Sequence, residues 1–342
     1  METKQIVFTK KNTAELICKN IKDVPGDDEI MVKTIYTAIS NGTERANLTG
    51  DLNVHGNSAP DPSKPLFPRC LGYSGAGEAV AVGKNVKKVK CGDMVATSWG
   101  VHANYQMFKE ENVEIVPEGV ELREAALTHI ATFPLAAIRK MRCEIGENTL
   151  VMGIGILGLI AIKFLKASGM ASVIAADLDE KRRSEALKMG ADYALDPSEK
   201  GFSEMVKKLT DGGANAAVEV TGVGAGLDEC LDCMAKFGRI ALLGCTRDKN
   251  FTIDYYKKVH CPGITLIGAH TMARPQSESH PGWWTTSDDK KAILKLLLKK
   301  RITFGDLINE VREPGEAGAV YKRLAFDKAF PTGVLFKWTD EI

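Results

Sequence analysis

A chain of 342 residues with 45 basic against 44 acidic side chains, scattered to a net +1, marks neither a nucleic-acid nor a membrane surface. The partner expected is a small molecule. The length exceeds what one compact domain usually needs and predicts two domains with separate cores.

The N-terminal METKQIVFTKKNTAELI alternates like a strand and lacks a long apolar core, so it does not read as a secretory segment. With eight cysteines at irregular spacing, this predicts reduced thiols and a cytoplasmic protein. Up to about residue 120 the chain offers short alternating or β-branched runs, EIMVKTIYTAIS, GEAVAVG, DMVATS and VEIVP, broken by Gly, Pro and Asn turns: an all-β segment. From Glu121 to Ala269 the pattern changes. TLVMG, SVIAAD, DYALD, AAVEV, RIALLG and ITLIGAH alternate with helix-like stretches and predict six strands of an α/β doubly wound parallel sheet. Thr271 to Asp289 reads as a returning linker, followed by two helices and a last strand in GVLFKW. The domain boundaries expected are 1–122 with 289–342, and 123–288. The one membrane-like run, 149–165, is shorter than the ~20 residues of a spanning helix and is interrupted by glycines and Lys163.

Gly153, Gly155 and Gly158 stand in G-x-G-x-x-G spacing between a predicted strand and a predicted helix. The first makes the tight turn, the second lets backbone N–H groups approach a pyrophosphate, and the third lets helix and strand pack closely. The helix N-terminus then faces the phosphates. Asp177 ends the next strand, where a carboxylate can accept from both adenosine ribose hydroxyls and would repel a 2′-phosphate. NAD is therefore expected over NADP; Arg182 and Arg183 close behind could favour a phosphate instead, but their helical position reads first as a solvated face. The earlier glycine-rich stretch RCLGYSGAGEAVAVG has no helix after it, so Gly72, Gly75 and Gly77 read as positions where a strand bends or another backbone comes close.

A fingerprint this far along the chain, behind a β-rich segment, resembles the medium-chain dehydrogenase/reductase superfamily of zinc-type alcohol and polyol dehydrogenases. The resemblance rests on the fingerprint with Asp177, on EVTGVGAG and GRIALLG, and on NGTERANLTG and PRCLGYSGAGEAV. It implies a GroES-like β-barrel domain beside the Rossmann domain, an active site in the cleft between them, and a homodimer paired through the strand around GITLIGA. It also implies cofactor contacts at Ile156, Leu157, Arg182, Thr221, Gly244 and Ala269. Within the superfamily, Asn-Gly-Thr-Glu and Gly-Tyr look like the branch that includes bacteriochlorophyllide dehydrogenase-like proteins, a branch name that carries no substrate with it.

The family's zinc-ligand positions can be inspected one by one. Asn41 stands where a thiolate is usual, Tyr73 where a histidine is usual, and the third position falls at or beside His129. Zinc favours thiolate, imidazole and carboxylate, and a catalytic site usually has three protein ligands. An amide, a neutral phenol and one imidazole predict no zinc. The four-cysteine lobe of a structural zinc is absent, and Cys230 with Cys233 reads as core packing of a helix.

Without a metal, the alkoxide-like oxygen of hydride transfer needs a proton donor. Tyr73 and His129 are the candidates. Thr43 matches the family's relay hydroxyl, and Glu44 matches the acid that orients a ligand, here His129 or Tyr73. Asn41, Trp99, His102 and His270 are expected to border the substrate, and His280, Trp283 and Trp284 of HPGWW to pack. Bland alternatives stand beside these: Tyr73 as filler on Trp99 or Phe133, His129 as a core histidine, Thr43 as a turn hydroxyl, Glu44 as an ion-pair partner. The function expected is zinc-independent, NAD(H)-dependent interconversion of a secondary alcohol, of polyol or sugar type, and its ketone. The rivals are an NADPH-dependent enone or quinone reductase and a non-catalytic nucleotide-binding relative.

Overall fold

The computed structural model describes residues 1–52, 54, 66–246 and 250–338. The chain divides into two compact units, Met1–Ile130 with Lys290–Ile342, and Ala131–Asp289.

The first unit is built on strands. β1 (Glu2–Lys10) and β2 (Thr13–Asn20) form an antiparallel hairpin. β3 (Glu29–Ala38), β4 (Ser74–Val82), β5 (Met94–Ser98), β6 (Tyr105–Lys109) and β7 (Val113–Ile115) belong to a larger mixed sheet. Helix α1 (Asn41–Thr49) follows β3, and a short α2 (Leu122–Ala125) precedes α3 (Thr128–Met141), along which the chain enters the second unit.

There, β8 (Asn148–Met152), α4 (Ile156–Ala167), β9 (Ser172–Ala176), α5 (Glu180–Lys188), β10 (Tyr193–Leu195), α6 (Phe202–Leu209), β11 (Ala214–Glu219), α7 (Gly224–Asp232), β12 (Met234–Leu242) and β13 (Thr265–Gly268) alternate. All neighbouring strands are parallel, in the order β10-β9-β8-β11-β12-β13, the arrangement of a dinucleotide-binding doubly wound sheet. β9 is buried at every residue, as a parallel strand covered on both faces must be.

The chain returns along α8 (Thr286–Leu298) to β14 (Glu310–Arg312), α9 (Ala317–Phe326) and β15 (Val334–Lys337). β14 joins β15, and β15 pairs with β3, so the C-terminal residues complete the first unit's sheet in the order β14-β15-β3-β4-β5-β7. Phe8, Ile39, Leu48, Tyr321 and Phe336 share one core of this unit. β12 begins earlier than the run RIALLG suggests. Its register slips against β11 between Ala214 and Ala216, and Phe237 on the slipped segment has φ +62. Among the described residues no helix is long and apolar enough to cross a membrane.

Candidate active site

In the second unit the fingerprint forms a cradle. Gly153 has φ +100, a left-handed value that a side chain would strain, and its N–H donates to Ala176 O at 2.8 Å. A Cβ on Gly158 would stand 2.1 Å from Gly153 O, so only glycine lets α4 start this close to the turn. A Cβ at Gly155 would meet nothing within 4 Å, which leaves the mouth of the helix open. Ile156 turns its side chain into the core, so what it and Leu157 offer a phosphate is the N-terminus of α4.

Asp177 follows β9, and its carboxylate accepts from Ile154 N at 2.7 Å and Asp179 N at 2.9 Å. It is thereby fixed beside the glycine turn. The Arg182 guanidinium lies 3.7 Å from its Oδ2, whereas Arg183 is spent on the Asp177 and Leu178 carbonyls and on Asp196. At the end of β11, Glu219 accepts from Thr221 N at 2.7 Å and from the Thr221 hydroxyl, and burial pushes its carboxyl above the usual carboxylate range. That contact shapes the Thr221–Gly222 turn, in which Thr221 is exposed. Gly244 packs on Gly222 so closely that a Cβ would reach its N at 2.3 Å. Ala269 is buried just beyond β13, and His270 next to it is exposed, its Nδ1 accepting from Met272 N at 3.2 Å.

In the first unit the structure brings Tyr73, Trp99 and His129 together. Ser74 pairs with Ser98 across β4 and β5, so Tyr73 and Trp99 leave the ends of paired strands side by side, and Trp99 N donates to Tyr73 O at 2.9 Å. The Ser74 hydroxyl donates to Ala126 O at 2.6 Å and accepts from Ile130 N at 3.4 Å, which fastens the start of α3 and places His129 there. The His129 imidazole meets the Trp99 ring edge-on at 4.7 Å and the Tyr73 ring at 5.6 Å. His129 is 1% exposed, whereas Trp99 is 48% exposed with φ +61, a left-handed conformation that is uncommon for a bulky residue.

Glu44 departs from expectation. Its carboxylate is bonded to neither His129 nor Tyr73. Wholly buried, it accepts from Ser40 N at 2.8 Å and from Tyr321 Oη at 2.5 Å, with His102 Nε2 at 3.1 Å. His102, expected beside the substrate, is 1% exposed, with Nδ1 2.7 Å from Thr37 Oγ1, which also accepts from Trp338 Nε1. The physical reason is Gly72: at φ +116, with a Cβ position 2.4 Å from His102 N, it lets the chain at His102 press onto Leu71 and sink inward. A proton on Nδ1 would turn the bare Nε2 lone pair toward the carboxylate, so the favoured tautomer carries its proton on Nε2.

Asn41 also turns away from its expected role, because its side-chain amide donates to the Pro331 and Thr332 carbonyls. Thr43 lies in the first turn of α1, where its carbonyl accepts from Asn47 Nδ2 at 2.9 Å, and no hydrogen bond links its hydroxyl to Tyr73. Three residues went unnoticed in the sequence. Tyr321 is 277 positions from Glu44 and carries no motif, Lys290 is an ordinary helical lysine by pattern, and only Ser40, just ahead of a helix, had a legible signal as a cap. In the second unit, Trp284 lies under Arg139 at 3.6 Å and Trp283 under Lys140 at 4.9 Å, so the HPGWW tryptophans fasten the returning segment to α3.

A family model described as zinc-binding dehydrogenase matches residues 157–281. L-threonine 3-dehydrogenase from Pyrococcus horikoshii is 28% identical over 279 residues, covering 71% of this chain and 76% of that protein. Sorbitol dehydrogenase from Halalkalibacterium halodurans is 24% identical over 340 residues, covering 89% and 93%. Among solved structures, galactitol-1-phosphate dehydrogenase from Escherichia coli superposes with a TM-score of 0.84 at 20% identity, over 98% of this chain and all (100%) of that one.

The chain is thus similar to zinc-type dehydrogenases both in sequence and in fold. Its architecture is that of the solved dehydrogenases, a GroES-like unit with a Rossmann unit, and the relatives that it matches in sequence are named as dehydrogenases.

The superfamily's zinc does not suit the side chains present. The family match at residues 157–281 covers none of the ligand positions, Asn41, Tyr73 or His129. The Asn41 amide is turned to two carbonyls, the Tyr73 phenol to the Ser40 hydroxyl, and Glu44 is committed to three donors. No group of three His, Cys, Asp or Glu with metal-site geometry occurs among the described residues. Cys230 and Cys233 lie in the core of the second unit, where burial pushes the Cys233 thiol up to about 12, against the thiolate a metal requires. The dinucleotide, by contrast, fits the open glycine turn and the fixed Asp177 carboxylate.

Proposed function

We propose that this protein interconverts a secondary alcohol and its ketone with NAD(H) and without a catalytic zinc, on a substrate of polyol or sugar type. The observation that carries the reading is Tyr73. Where the resemblance implies a metal-binding histidine, it presents a phenol hydrogen-bonded to Ser40 and flanked by Trp99 and His129.

A nicotinamide bound to the Rossmann unit supplies or accepts the hydride. In the reductive direction Tyr73 Oη gives its proton to the substrate oxygen, and in the oxidative direction it takes that proton back. The reference pKa of a phenol, about 10, suits a proton donor at neutral pH. His129 stands edge-on to the phenol, where its charge state bears on proton transfer. The half-exposed Trp99 face offers an apolar platform for a carbon skeleton. Asp177 supports NAD over NADP, because a 2′-phosphate would meet a carboxylate; Arg182 lessens that repulsion. The relatives named for threonine and sorbitol support a small hydroxylated substrate. The β13 edge, with Thr265, Leu266 and Gly268 exposed, supports pairing with a second copy.

The test combines metal analysis of the purified protein with a panel of secondary alcohols, polyols and ketones assayed with NADH and NADPH. Turnover of a polyol or its ketone with NADH, at well under one zinc per chain, is expected. Stoichiometric zinc whose removal abolishes turnover overturns the metal-free reading. Reduction of enones or quinones with NADPH would instead identify the rival reductase, and tight NADH binding without turnover of any compound a non-catalytic relative.

A further inference from the structure

Ser40 occupies the N-cap of α1, where a serine ordinarily gives its side-chain oxygen to the free N–H groups of the first turn. Here it makes no such bond. Its hydroxyl is turned to the Tyr73 phenol instead. The diversion is held from behind: Ser40 N donates to Glu44 Oε1 at 2.8 Å, Glu44 N donates back to Ser40 O at 2.8 Å, and Ser40 is 6% exposed. Glu44 in turn is fixed by Tyr321 and His102, the latter braced by Thr37 and Trp338. Burial and the adjacent carboxylate push the Tyr321 phenol well above its ordinary range, so it stays a donor. Residues 37, 40, 44, 102, 321 and 338 thus form a buried frame whose outward end is one serine hydroxyl.

We propose that Ser40 is a positioning residue for proton transfer by Tyr73. The inference rests on the reading of Tyr73 as the acid and base. At rest the Tyr73 phenol donates to Ser40 Oγ; when the Tyr73 O–H turns to the substrate, its O–H bond breaks and the proton forms an O–H bond to the substrate oxygen, and the phenolate left behind receives a hydrogen bond from the Ser40 hydroxyl, which can both donate and accept. The phenolate regains its proton from solvent, and no proton leaves the frame. Because a hydrogen bond to a charged oxygen is stronger than one to a neutral oxygen, Ser40 favours the phenolate and lowers the cost of releasing the proton. The groups near the phenol include His129 from α3 and the uncharged Trp99 after β5, with Glu44 behind Ser40.

The experiment follows Tyr73 itself. The full chain, labelled with ¹³Cζ-tyrosine and saturated with NADH, is titrated by NMR, with the Tyr73 resonance assigned from Tyr73→Phe. Ser40→Ala is expected to raise the pKa of Tyr73 by about one unit, a tenfold loss of phenolate at a given pH, and Ser40→Thr to restore it. Should Ser40→Ala not fold, Ser40→Cys, a far weaker donor, is expected to shift the titration in the same direction. An unchanged Tyr73 titration in whichever of these variants folds overturns the proposal. The reading beneath it is tested separately: full turnover in Tyr73→Phe removes the phenol from the chemistry, whatever Ser40 does to its pKa.

Discussion

Tyr321 donates its phenolic proton to Glu44 at 2.5 Å, joining α9 near the end of the chain to α1 near its start. Both side chains are wholly buried, so neither can exchange its partner for water. Tyr321→Phe leaves a buried carboxylate short of one donor and is expected to cost about 1–3 kcal/mol. Glu44→Ala strands the His102, Tyr321 and Ser40 donors together and is expected to cost about 3–5 kcal/mol. Chemical denaturation of both variants measures the order; a wild-type midpoint for Glu44→Ala would show that the frame does not hold the unit together.

Asp177 spends its carboxylate on Ile154 N and Asp179 N, and the proposed NAD would bring its ribose to the same group. Asp177→Ala removes the acceptor and loosens the glycine turn. NADH affinity is expected to fall about 10- to 100-fold, the worth of one or two hydrogen bonds to a charged group. NADPH binding should improve at the same time, since Arg182 loses its carboxylate partner. Fluorescence titration with each dinucleotide decides this. Unchanged NADH affinity would place the adenosine ribose elsewhere.

Lys290 is 1% exposed, with its amine 3.1 Å from Glu111 O and 3.3 Å from Ser98 Oγ, and burial lowers its pKa from 10.5 to about 8. Between those pH values the unfolded chain holds this proton and the folded chain does not, so the lysine's contribution to stability rises with pH. Below pH 8 both states are charged and the penalty of burying the charge is fully present; above 10.5 both are neutral and it is gone. Relative to Lys290→Met, the wild type should therefore gain about 1–3 kcal/mol from pH 7 to pH 10. Denaturation curves for both proteins across that range provide the measurement, and a parallel pH dependence would count against a buried, titrating amine.

The fold and the glycine turn after β8 were legible because they depend on local patterns. Alternating and continuous apolar runs specify strands, and G-x-G-x-x-G followed by Asp177 specifies a turn in which backbone groups face a ligand. The zinc-ligand positions could likewise be inspected by residue type alone. Tyr73, Trp99 and His129 were each named from the sequence, yet their mutual contact depends on the Ser74–Ser98 register and on the Ser74 hydroxyl that ties α3 to β4. The roles of Glu44 and His102 were beyond sequence reasoning, since a buried carboxylate takes whichever donors the fold delivers, and Tyr321 arrives from a helix 277 positions away. Sequence alone determined the architecture and the chemistry each side chain could offer. Only tertiary structure decided which oxygen faces which proton, because a hydrogen bond depends on tenths of an ångström that distant strands and helices set together.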